Sequence, residues 1–202
     1  MRIFLNPQKI QKFIKKIKQQ NKSIGFIPTM GALHQGHISL IRRARKENDI
    51  VAVSIFVNPS QFAPHEDLKK YPRPFEKDIN ICKSEGVDVI FAPMLKEMYP
   101  ENYLAYITVE KLSDIMCGKF RPGHFRGVAT IVAKLFNIVQ PDRAYFGLKD
   151  FQQSVIVKKM VTDLNFPVKI ITCPIVREKD GLALSSRNVY LSYEERKKAL
   201  VL

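Results

Sequence analysis

The chain has 202 residues, 46% hydrophobic and 26% charged, a balance typical of a globular protein with one sizeable core and not of a disordered chain. Lysine and arginine outnumber aspartate and glutamate by 33 to 19, and the formal net charge of +14 suits either nucleic acid or a pocket for anionic small molecules. The sequence has no apolar run of the ~20 residues that span a membrane, no secretion signal and only three cysteines without zinc spacing, so we expect a cytoplasmic protein with no membrane partner.

The first predicted element is an amphipathic helix that begins at Asn6 and Pro7, with apolar residues at positions 10, 13, 14 and 17 and lysines on the other face. Residues 23–27 predict a buried strand that ends at Pro28, because proline cannot donate a ladder hydrogen bond. A glycine-bearing loop and a helix from His37 onward follow. The order is therefore strand, loop, helix.

The loop between this strand and helix carries the sequence HQGH at residues 34–37. Such a junction directs free backbone N–H groups and the positive end of the helix dipole toward the loop, which favours a bound phosphate. His34 and His37 add imidazoles that can donate to phosphoryl oxygens and, when protonated, offset charge during phosphoryl or nucleotidyl transfer. The H-x-G-H pattern alone is weakly specific, but its place after a strand and at a helix start favours catalysis over a surface role.

Strands and helices alternate in the next part of the chain: strands are predicted at residues 49–57, 87–91, 142–146 and 168–173, and helices at 75–85, 128–139 and 151–164. This alternation predicts a Rossmann-like α/β fold, a parallel sheet with helices on both faces. Residues 104–109 are polar enough to predict an edge strand. Because ligands bind beyond the carboxyl ends of such strands, we expect the HQGH, NPSQF and GLKD loops to converge on one crevice.

The pattern changes after Pro174. A hairpin-like turn at residues 179–181 precedes the sequence LSSRN, and residues 192–195 form a capping box that opens a last helix. We therefore expect residues 1–176 to form a nucleotide- and substrate-binding domain. Residues 177–202 are expected to be the beginning of a smaller C-terminal lid domain that is truncated here.

Five separated segments, PTMGALHQGH, FVNPSQF, GHFRGV, YFGLKDFQQ and LSSRN, resemble in order and spacing the pantoate–β-alanine ligase family of the nucleotidyltransferase superfamily. The resemblance covers nearly the whole chain. It implies that ATP and pantoate form pantoyl adenylate and pyrophosphate, and that the amine of β-alanine then displaces AMP to give pantothenate. It also implies a homodimer, and Mg²⁺ carried on the ATP phosphates without a dedicated set of metal-binding residues.

The resemblance further implies roles for individual residues. His37 is similar to the family's proton donor, and His34, Lys149 and Arg187 are expected to act with it in catalysis. The amides of Gln61 and Gln153 are expected to bind the substrates, pantoate above all. The residues expected to bind ATP are Met30, Gly31, Ala32, Leu33, His34, Gln35, Gly36, His37, Gly147, Leu148, Lys149, Asp150, Val176, Leu184, Ser185, Ser186 and Arg187.

Two positions depart from the family's pattern. Leu184 stands where the family usually has methionine, and Leu148 stands where it commonly has an acidic residue; neither change is expected to cost much. His124 and Arg126, in the GHFRG segment, are candidates either for anion binding or for structural and surface roles. Because the family's lid excludes water from a hydrolysable adenylate, a chain with only the start of a lid is expected to bind ATP but turn over poorly.

Two alternatives stay open on the sequence alone. One is another nucleotidyltransferase of the same fold acting on a phosphorylated acceptor, which would require more arginine or lysine around Gln61 and Gln153. The other is an RNA-binding, synthetase-like module, suggested by the net charge. The lysines are dispersed as on solvated faces, and the sequence offers no aromatic stacking platform, so we expect no nucleic-acid partner.

Overall fold

The computed structural model describes residues 1–201, and its centre is a parallel sheet of six strands in the order β1-β4-β3-β2-β5-β6. The strands are β1 (Arg2–Phe4), β2 (Ile24–Thr29), β3 (Ile50–Ile55), β4 (Val89–Phe91), β5 (Arg143–Gly147) and β6 (Lys169–Cys173). The helices are α1 (Pro7–Lys18), α2 (Gln35–Glu47), α3 (Phe75–Ser84), α4 (Leu95–Met98), α5 (Cys117–Phe120), α6 (His124–Val139), α7 (Phe151–Asp163) and α8 (Tyr193–Ala199). The predicted Rossmann-like fold is confirmed.

Two apolar cores lie on opposite faces of the sheet. The larger core joins the sheet to α1, α6 and α7, and the smaller one joins it to α2 and α3. α6 supplies the largest share of the larger core, because the greater part of its residues are buried, including Phe125, Leu135 and Phe136. At about 25 cal/mol per Å² of apolar surface removed from water, a helix buried on so many sides contributes far more than its intrinsic helix propensity.

The amphipathic first helix forms as predicted. The side chain of Asn6 accepts a hydrogen bond from the Lys9 backbone N–H at 3.1 Å, and Pro7 occupies the first turn, where its missing donor is not needed. Ile10, Ile14 and Ile17 are buried against the larger core. The lysines of the helix remain outside, so its apolar face covers the sheet.

Four details of the predicted elements differ from the structure. β2 does not stop at Pro28 but continues to Thr29, because its pairing with β5 covers only Gly25 and Phe26 and has ended before the proline. Residues 104–109 form no strand in the described part of the chain; Ile107 donates its N–H to the Thr130 hydroxyl of α6 at 2.9 Å instead of to a sheet neighbour. α6 begins at His124, four residues before its predicted start, and β1 was not predicted.

The turn and the capped last helix form where the sequence predicts them. Arg177 and Ala183 form an antiparallel bridge around the turn at Gly181, and α8 carries the predicted capping box between Ser192 and Glu195. Arg196 of α8 pairs with Glu178 at 2.6 Å, which ties the helix back to the turn. Among residues 1–201, no helix has the length and apolar character needed to cross a membrane.

Candidate active site

The candidate site lies where the strand order reverses. From β2 the chain builds outward through β3 and β4 on one side and through β5 and β6 on the other, so a crevice opens at the carboxyl ends of β2 and β5. The loops after β2, β3 and β5, which carry HQGH, NPSQF and GLKD, line one cleft together with residues 174–176 and 184–187. Segments distant in the sequence therefore meet in a single place.

Most of the residues predicted for the site line this cleft. They are Met30, His34, Gly36, His37, Gln61, Gly147, Lys149, Asp150, Gln153, Val176, Leu184, Ser185, Ser186 and Arg187. Five residues expected to contact ATP do not line it: Gly31, Ala32, Leu33, Gln35 and Leu148. Leu33 belongs to the smaller core and Gln35 is exposed to solvent. Both residues therefore support the loop without facing the cleft.

The two histidines close the start of α2 with their own rings. Nδ1 of His34 accepts the Gly36 N–H at 3.1 Å, and Nδ1 of His37 accepts the His34 N–H at 3.3 Å. An imidazole whose Nδ1 accepts must carry its hydrogen on Nε2 when neutral, so both rings hold an Nε2–H donor. Gly36 leaves room for the His34 ring, because a Cβ at that position would lie 2.8 Å from Cε1 of His34 and the ring would have to shift.

A buried carboxylate holds the preceding loop. Asp78 of α3 is 1% exposed and accepts the N–H groups of Ala32 at 2.9 Å and Leu33 at 2.8 Å. Together with the two imidazoles it occupies four backbone donors, those of Ala32, Leu33, His34 and Gly36, so these N–H groups are not free for a phosphate. The Nε2–H groups of the histidines take over as the donors that the motif presents to the cleft.

The surroundings of the histidines favour their neutral forms. Burial, the neighbouring His34 and the ammonium of Lys149 lower the pKa of His37 to about 3. Burial and Lys149 also lower the pKa of His34. At neutral pH both rings are therefore uncharged hydrogen-bond donors, and the positive charge beside them belongs to Lys149.

Gln61 is fixed by a buried amide and by a close helix. Asn58 is 1% exposed, and its Nδ2 donates to Oε1 of Gln61 and to the Gly127 carbonyl, both at 3.1 Å. The ring Nδ1 of His124 donates to the Gln61 carbonyl at 2.8 Å, which sets that histidine's tautomer. The Gln61 amide nitrogen is left 3.0 Å from the Met30 sulfur, a weak acceptor, so it is available to a ligand.

Gly127 permits this arrangement because α6 passes very close to the loop. A Cβ at position 127 would lie 2.2 Å from the Ser60 carbonyl oxygen and 2.7 Å from the Gln61 nitrogen, distances that no side chain can occupy. The GHFRGV segment thus packs directly against the backbone of the NPSQF loop. Arg126 of the same segment lies outside the cleft and stacks on the Tyr106 ring at 3.8 Å, which favours its structural interpretation.

Three cations line the cleft, and each is already held by a carboxylate. Lys149 contacts Asp150 at 3.1 Å, Arg121 forms a bidentate pair with Glu66, and Arg187 forms one with Asp67. We call residues 66–71 the acidic strap, because Glu66 and Asp67 of this segment form ion pairs with the two arginines and the segment ends at Tyr71. The pairs with Arg121 and Arg187 lower the pKa of Glu66 and of Asp67, and both carboxylates stay ionised.

Sequence reasoning missed Asn58, Tyr71 and Arg121, all of which line the cleft. Asn58 stood in the quoted NPSQF segment, and an asparagine before proline after a buried strand is a signal for a loop that caps its own backbone. Arg121 and Tyr71 lie in loops of ordinary basic and aromatic composition. No pattern in the sequence distinguished them from surface residues.

Metal-binding capacity at the cleft is small. Asp150 is its one lining carboxylate, and the described residues contain no group of three or more histidine, cysteine, aspartate or glutamate side chains placed to hold a metal ion. Such a donor set matches a divalent ion that is held mainly by phosphate oxygens and water, as Mg²⁺ commonly is.

The histidine tautomers give a direct test by ¹⁵N NMR of the imidazoles, with His34→Ala and His37→Ala used to assign the signals. We expect both rings to be neutral with hydrogen on Nε2 at pH 7, and His37 to remain neutral down to about pH 4, since its pKa is about 3. Because the folded pKa lies below the ordinary value of 6.5, the unfolded chain protonates first, and stability falls as the pH drops below 6.5. Protonation of His37 near pH 6.5, or hydrogen on Nδ1, would contradict this geometry.

The close approach at Gly127 predicts the effect of Gly127→Ala. The added methyl group must push residues 60–61 away from α6, so we expect a loss of about 1–3 kcal/mol in the free energy of unfolding. Faster amide hydrogen exchange at Gln61 and Phe62 should accompany it. Asn137→Ala, at an exposed position of the same helix, is the matched control and should change neither quantity. Unchanged exchange in the Gly127 variant would show that the loop does not depend on the glycine.

Comparisons with known proteins agree with the geometry. The sequence profile described as pantoate-beta-alanine ligase matches residues 2–202. The pantothenate synthetase of Caldicellulosiruptor bescii is 61% identical over 195 residues, 96% of this chain and 69% of that protein. The one from Thermodesulfovibrio yellowstonii is 60% identical over 202 residues, all of this chain and 72% of that protein.

Solved structures give the same answer. The crystal structure of pantothenate synthetase from Thermus thermophilus superposes with a TM-score of 0.95 at 52% identity, covering 100% of this chain and 72% of that one. A Francisella tularensis pantoate–β-alanine ligase, crystallised with β,γ-ATP and β-alanine, gives a TM-score of 0.93 at 44% identity, covering 100% of this chain and 77% of that one. These matches confirm the predicted family over both alternatives. The chain belongs to the pantoate–β-alanine ligase family, the enzymes that condense pantoate with β-alanine in an ATP-dependent reaction.

Proposed function

We propose that the cleft carries out the reaction of this family through a division of labour among its motifs. The reaction is the ATP-dependent condensation of pantoate with β-alanine, by way of pantoyl adenylate, with release of AMP and pyrophosphate. The observation that carries the assignment is the convergence of His34, His37, Lys149, Gln61 and Gln153 on one cleft. These residues come from four separate loops and helices, yet supply together the donors that an acid and a triphosphate require.

In the first step, a carboxylate oxygen of pantoate attacks the α-phosphorus of ATP, the bond to the bridging oxygen breaks, and pyrophosphate leaves. Charge on the phosphoryl oxygens must be stabilised as this happens. We assign His37 and His34 as neutral donors through their Nε2–H groups, because both Nδ1 atoms accept backbone N–H groups. Lys149 adds the charge that the imidazoles lack.

The departing pyrophosphate is assigned to the sequence LSSRN. Ser185, Ser186 and Arg187 line the same cleft as the HQGH loop, and hydroxyl and guanidinium donors suit phosphate oxygens. Met30, Gly36, Gly147 and Leu184 complete the proposed ATP surface. The backbone of Val176 is assigned to adenine and the carboxylate of Asp150 to the ribose hydroxyls. Gly31, Ala32, Leu33, Gln35 and Leu148 are assigned supporting roles, since they do not line the cleft.

Pantoate is assigned to the two glutamines. The Gln61 amide is oriented by Asn58 with its NH₂ group free of strong acceptors, and Gln153 lines the same cleft from α7. An amide can donate to a hydroxyl and to a carboxylate without adding a charge, so the acid stays ionised and nucleophilic. In the second step the amine of β-alanine attacks the acyl carbon, loses a proton, and AMP leaves. The Francisella relative crystallised with β-alanine supports placing that amino acid in the same site.

Mg²⁺ is proposed as the ion that accompanies ATP. The donor set fits it only as an ion held by phosphates and water, with Asp150 as the available protein carboxylate. When bound, the ion supplies charge neutralisation to the triphosphate. The residues named above do the rest: they bind the acid, donate to the phosphoryl oxygens and hold the leaving group.

The domain division is proposed as residues 1–176 for nucleotide and pantoate binding and residues 177–202 as part of a smaller lid. The lid assignment is supported by contacts of the last segment among its own residues, such as Arg196 with Glu178 and Asp180, and by its place beyond the last strand. The chain spans about seven tenths of the length of the Thermus thermophilus relative.

A homodimer is proposed from exposed apolar side chains at residues 104–120. Leu104, Tyr106, Ile115, Met116 and Phe120 are 86%, 43%, 51%, 63% and 78% exposed, and apolar side chains exposed to this degree are candidates for contact with a second copy of the chain. Sedimentation of Leu104→Lys against the unchanged chain tests the homodimer, with a shift to monomer expected.

Cytoplasmic location is proposed from three unpaired cysteines, two of them buried, because disulfides are rare in that compartment. Cell fractionation tests it.

The proposed function is tested by exchange of labelled pyrophosphate into ATP, which reports the first step alone. We expect the exchange to require both pantoate and Mg²⁺. His37→Ala should lower the exchange rate about 10²–10³-fold, because one donor to the phosphoryl oxygens is lost. Gln153→Ala should raise the KM for pantoate about tenfold. His65→Ala is the matched control, an exposed histidine outside the cleft, and should leave exchange unchanged.

Two results would count against the proposal. Exchange that proceeds without pantoate, or with a phosphorylated acid in its place, would favour a different nucleotidyltransferase. An unchanged rate in His37→Ala would remove the assigned role of that ring while leaving the family reaction intact.

A further inference from the structure

Asp67 of the acidic strap grips the guanidinium of Arg187. Its Oδ2 accepts from Nε and its Oδ1 accepts from Nη2, both at 2.8 Å, in the parallel two-bond geometry that fixes a guanidinium in a plane. Arg187 lines the cleft and Asp67 does not. The carboxylate therefore holds the arginine from outside the ligand-facing surface.

The pair leaves the other edge of the guanidinium available. Arginine has five N–H donors, and Asp67 uses one on Nε and one on Nη2, so both hydrogens on Nη1 and the second on Nη2 remain for a ligand. The aromatic rings of Phe62 and Tyr71 lie 5.8 and 5.5 Å from the guanidinium carbon and restrict its movement on their side. Arg187 is thus held along one edge by Asp67, with two aromatic rings beside it.

The strap itself is anchored to the segment that carries Arg187. Tyr190 donates its hydroxyl hydrogen to the Lys70 carbonyl at 3.0 Å, and the hydroxyls of Tyr71 and Ser186 lie 3.3 Å apart. The Arg187 side chain is 40% exposed, and an ion pair that solvent reaches this easily adds little to stability. Its consequence lies in the orientation of the guanidinium.

We propose that Asp67 is a positioning residue of the adenylation step, which holds Arg187 so that its free edge faces the leaving pyrophosphate. The inference rests on the role proposed above for Arg187. A positioned guanidinium needs no reorientation as charge moves to the leaving group, so the gain appears in the rate of the step and not in the binding of pantoate.

The test is pantoate-dependent pyrophosphate exchange in Asp67→Asn, Arg187→Ala and the double variant. We expect Asp67→Asn to lower the exchange rate about tenfold, the order of one charge-assisted hydrogen bond, with the KM for pantoate within about twofold of the unchanged chain. The double variant should match Arg187→Ala, because Asp67 acts only through the arginine. Asp67→Ser is a second variant with the same expectation if the asparagine variant folds poorly by thermal unfolding.

The matched control is Glu85→Gln. Glu85 forms an equivalent bidentate pair with Arg42, with both contacts at 2.7 Å, on a surface away from the cleft. The Glu85→Gln substitution removes one carboxylate charge from a bidentate pair, as Asp67→Asn does, and it should leave the pyrophosphate exchange rate unchanged. A slow Glu85→Gln would mean that the loss of any such pair slows the enzyme, which would overturn the inference.

The remaining outcomes separate the two proposals. Exchange at the unchanged rate in Arg187→Ala would remove the role of Arg187 and the inference with it. Slow exchange in Arg187→Ala together with an unchanged exchange rate in Asp67→Asn would overturn the inference about Asp67 and leave the proposed role of Arg187 standing. A double variant slower than Arg187→Ala by the full factor of the Asp67 change would mean that Asp67 acts by another route, which also contradicts the positioning role.

Discussion

The cleft depends on the parallel pairing of β2 with β3 on one side and β5 on the other. That pairing places the ends of three strands at one edge, and every loop that lines the cleft leaves from there or folds back over it. Polar contacts between neighbouring elements help to fix the register: Asp142 accepts the Ile24 N–H at 2.7 Å, and the buried Asn48 donates to the Tyr145 hydroxyl at 2.7 Å. A slip of one residue would exchange the side chains of β2 between the two cores and separate the loops.

Beyond the strand ends, the backbone N–H and C=O groups of the loops have no sheet partners, and buried side chains form hydrogen bonds with several of them instead. Asp78 accepts two N–H groups of the HQGH loop, and Asn58 binds the Gly127 carbonyl, the Gln61 amide and the Tyr99 hydroxyl. An unpaired buried polar group costs about 1–3 kcal/mol, so each of these residues is tied to one loop conformation. The cost of leaving their partners unpaired holds the loops in place before any ligand arrives.

The sequence predicted the fold, and most of the site residues named from it line the cleft, because both rest on local patterns. Alternating apolar runs fix strands and helices, and a glycine between two histidines at a helix start has few structural explanations besides a turn that brings the rings together. It failed where distant partners decide. Asp78 looked like an ordinary helix residue until the fold placed it beside Ala32 and Leu33, and the N–H groups of those two residues are therefore not free for a phosphate.

The same limit applies to Pro28, Arg121 and Asp67. Pro28 stays in its strand because the neighbouring ladder ends first, which no local rule records. Arg121 and Asp67 acquire meaning only when the strap brings Glu66 and Asp67 against two arginines from loops 55 and 120 residues away. Charges that pair across such separations carry no periodic signal in the chain.

The strap also changes how the net charge of +14 should be interpreted at the cleft. Two of the three lining cations are offset by carboxylates that do not themselves line it, so the local field is weaker than a count of arginines suggests. Lys149 faces neutral imidazoles on one side and Asp150 on the other. Without Glu66 and Asp67, two flexible guanidinium groups would repel each other and the lysine across one small space. With them, the arginines are ordered in advance, and a polyphosphate meets directed donors instead of a diffuse positive surface.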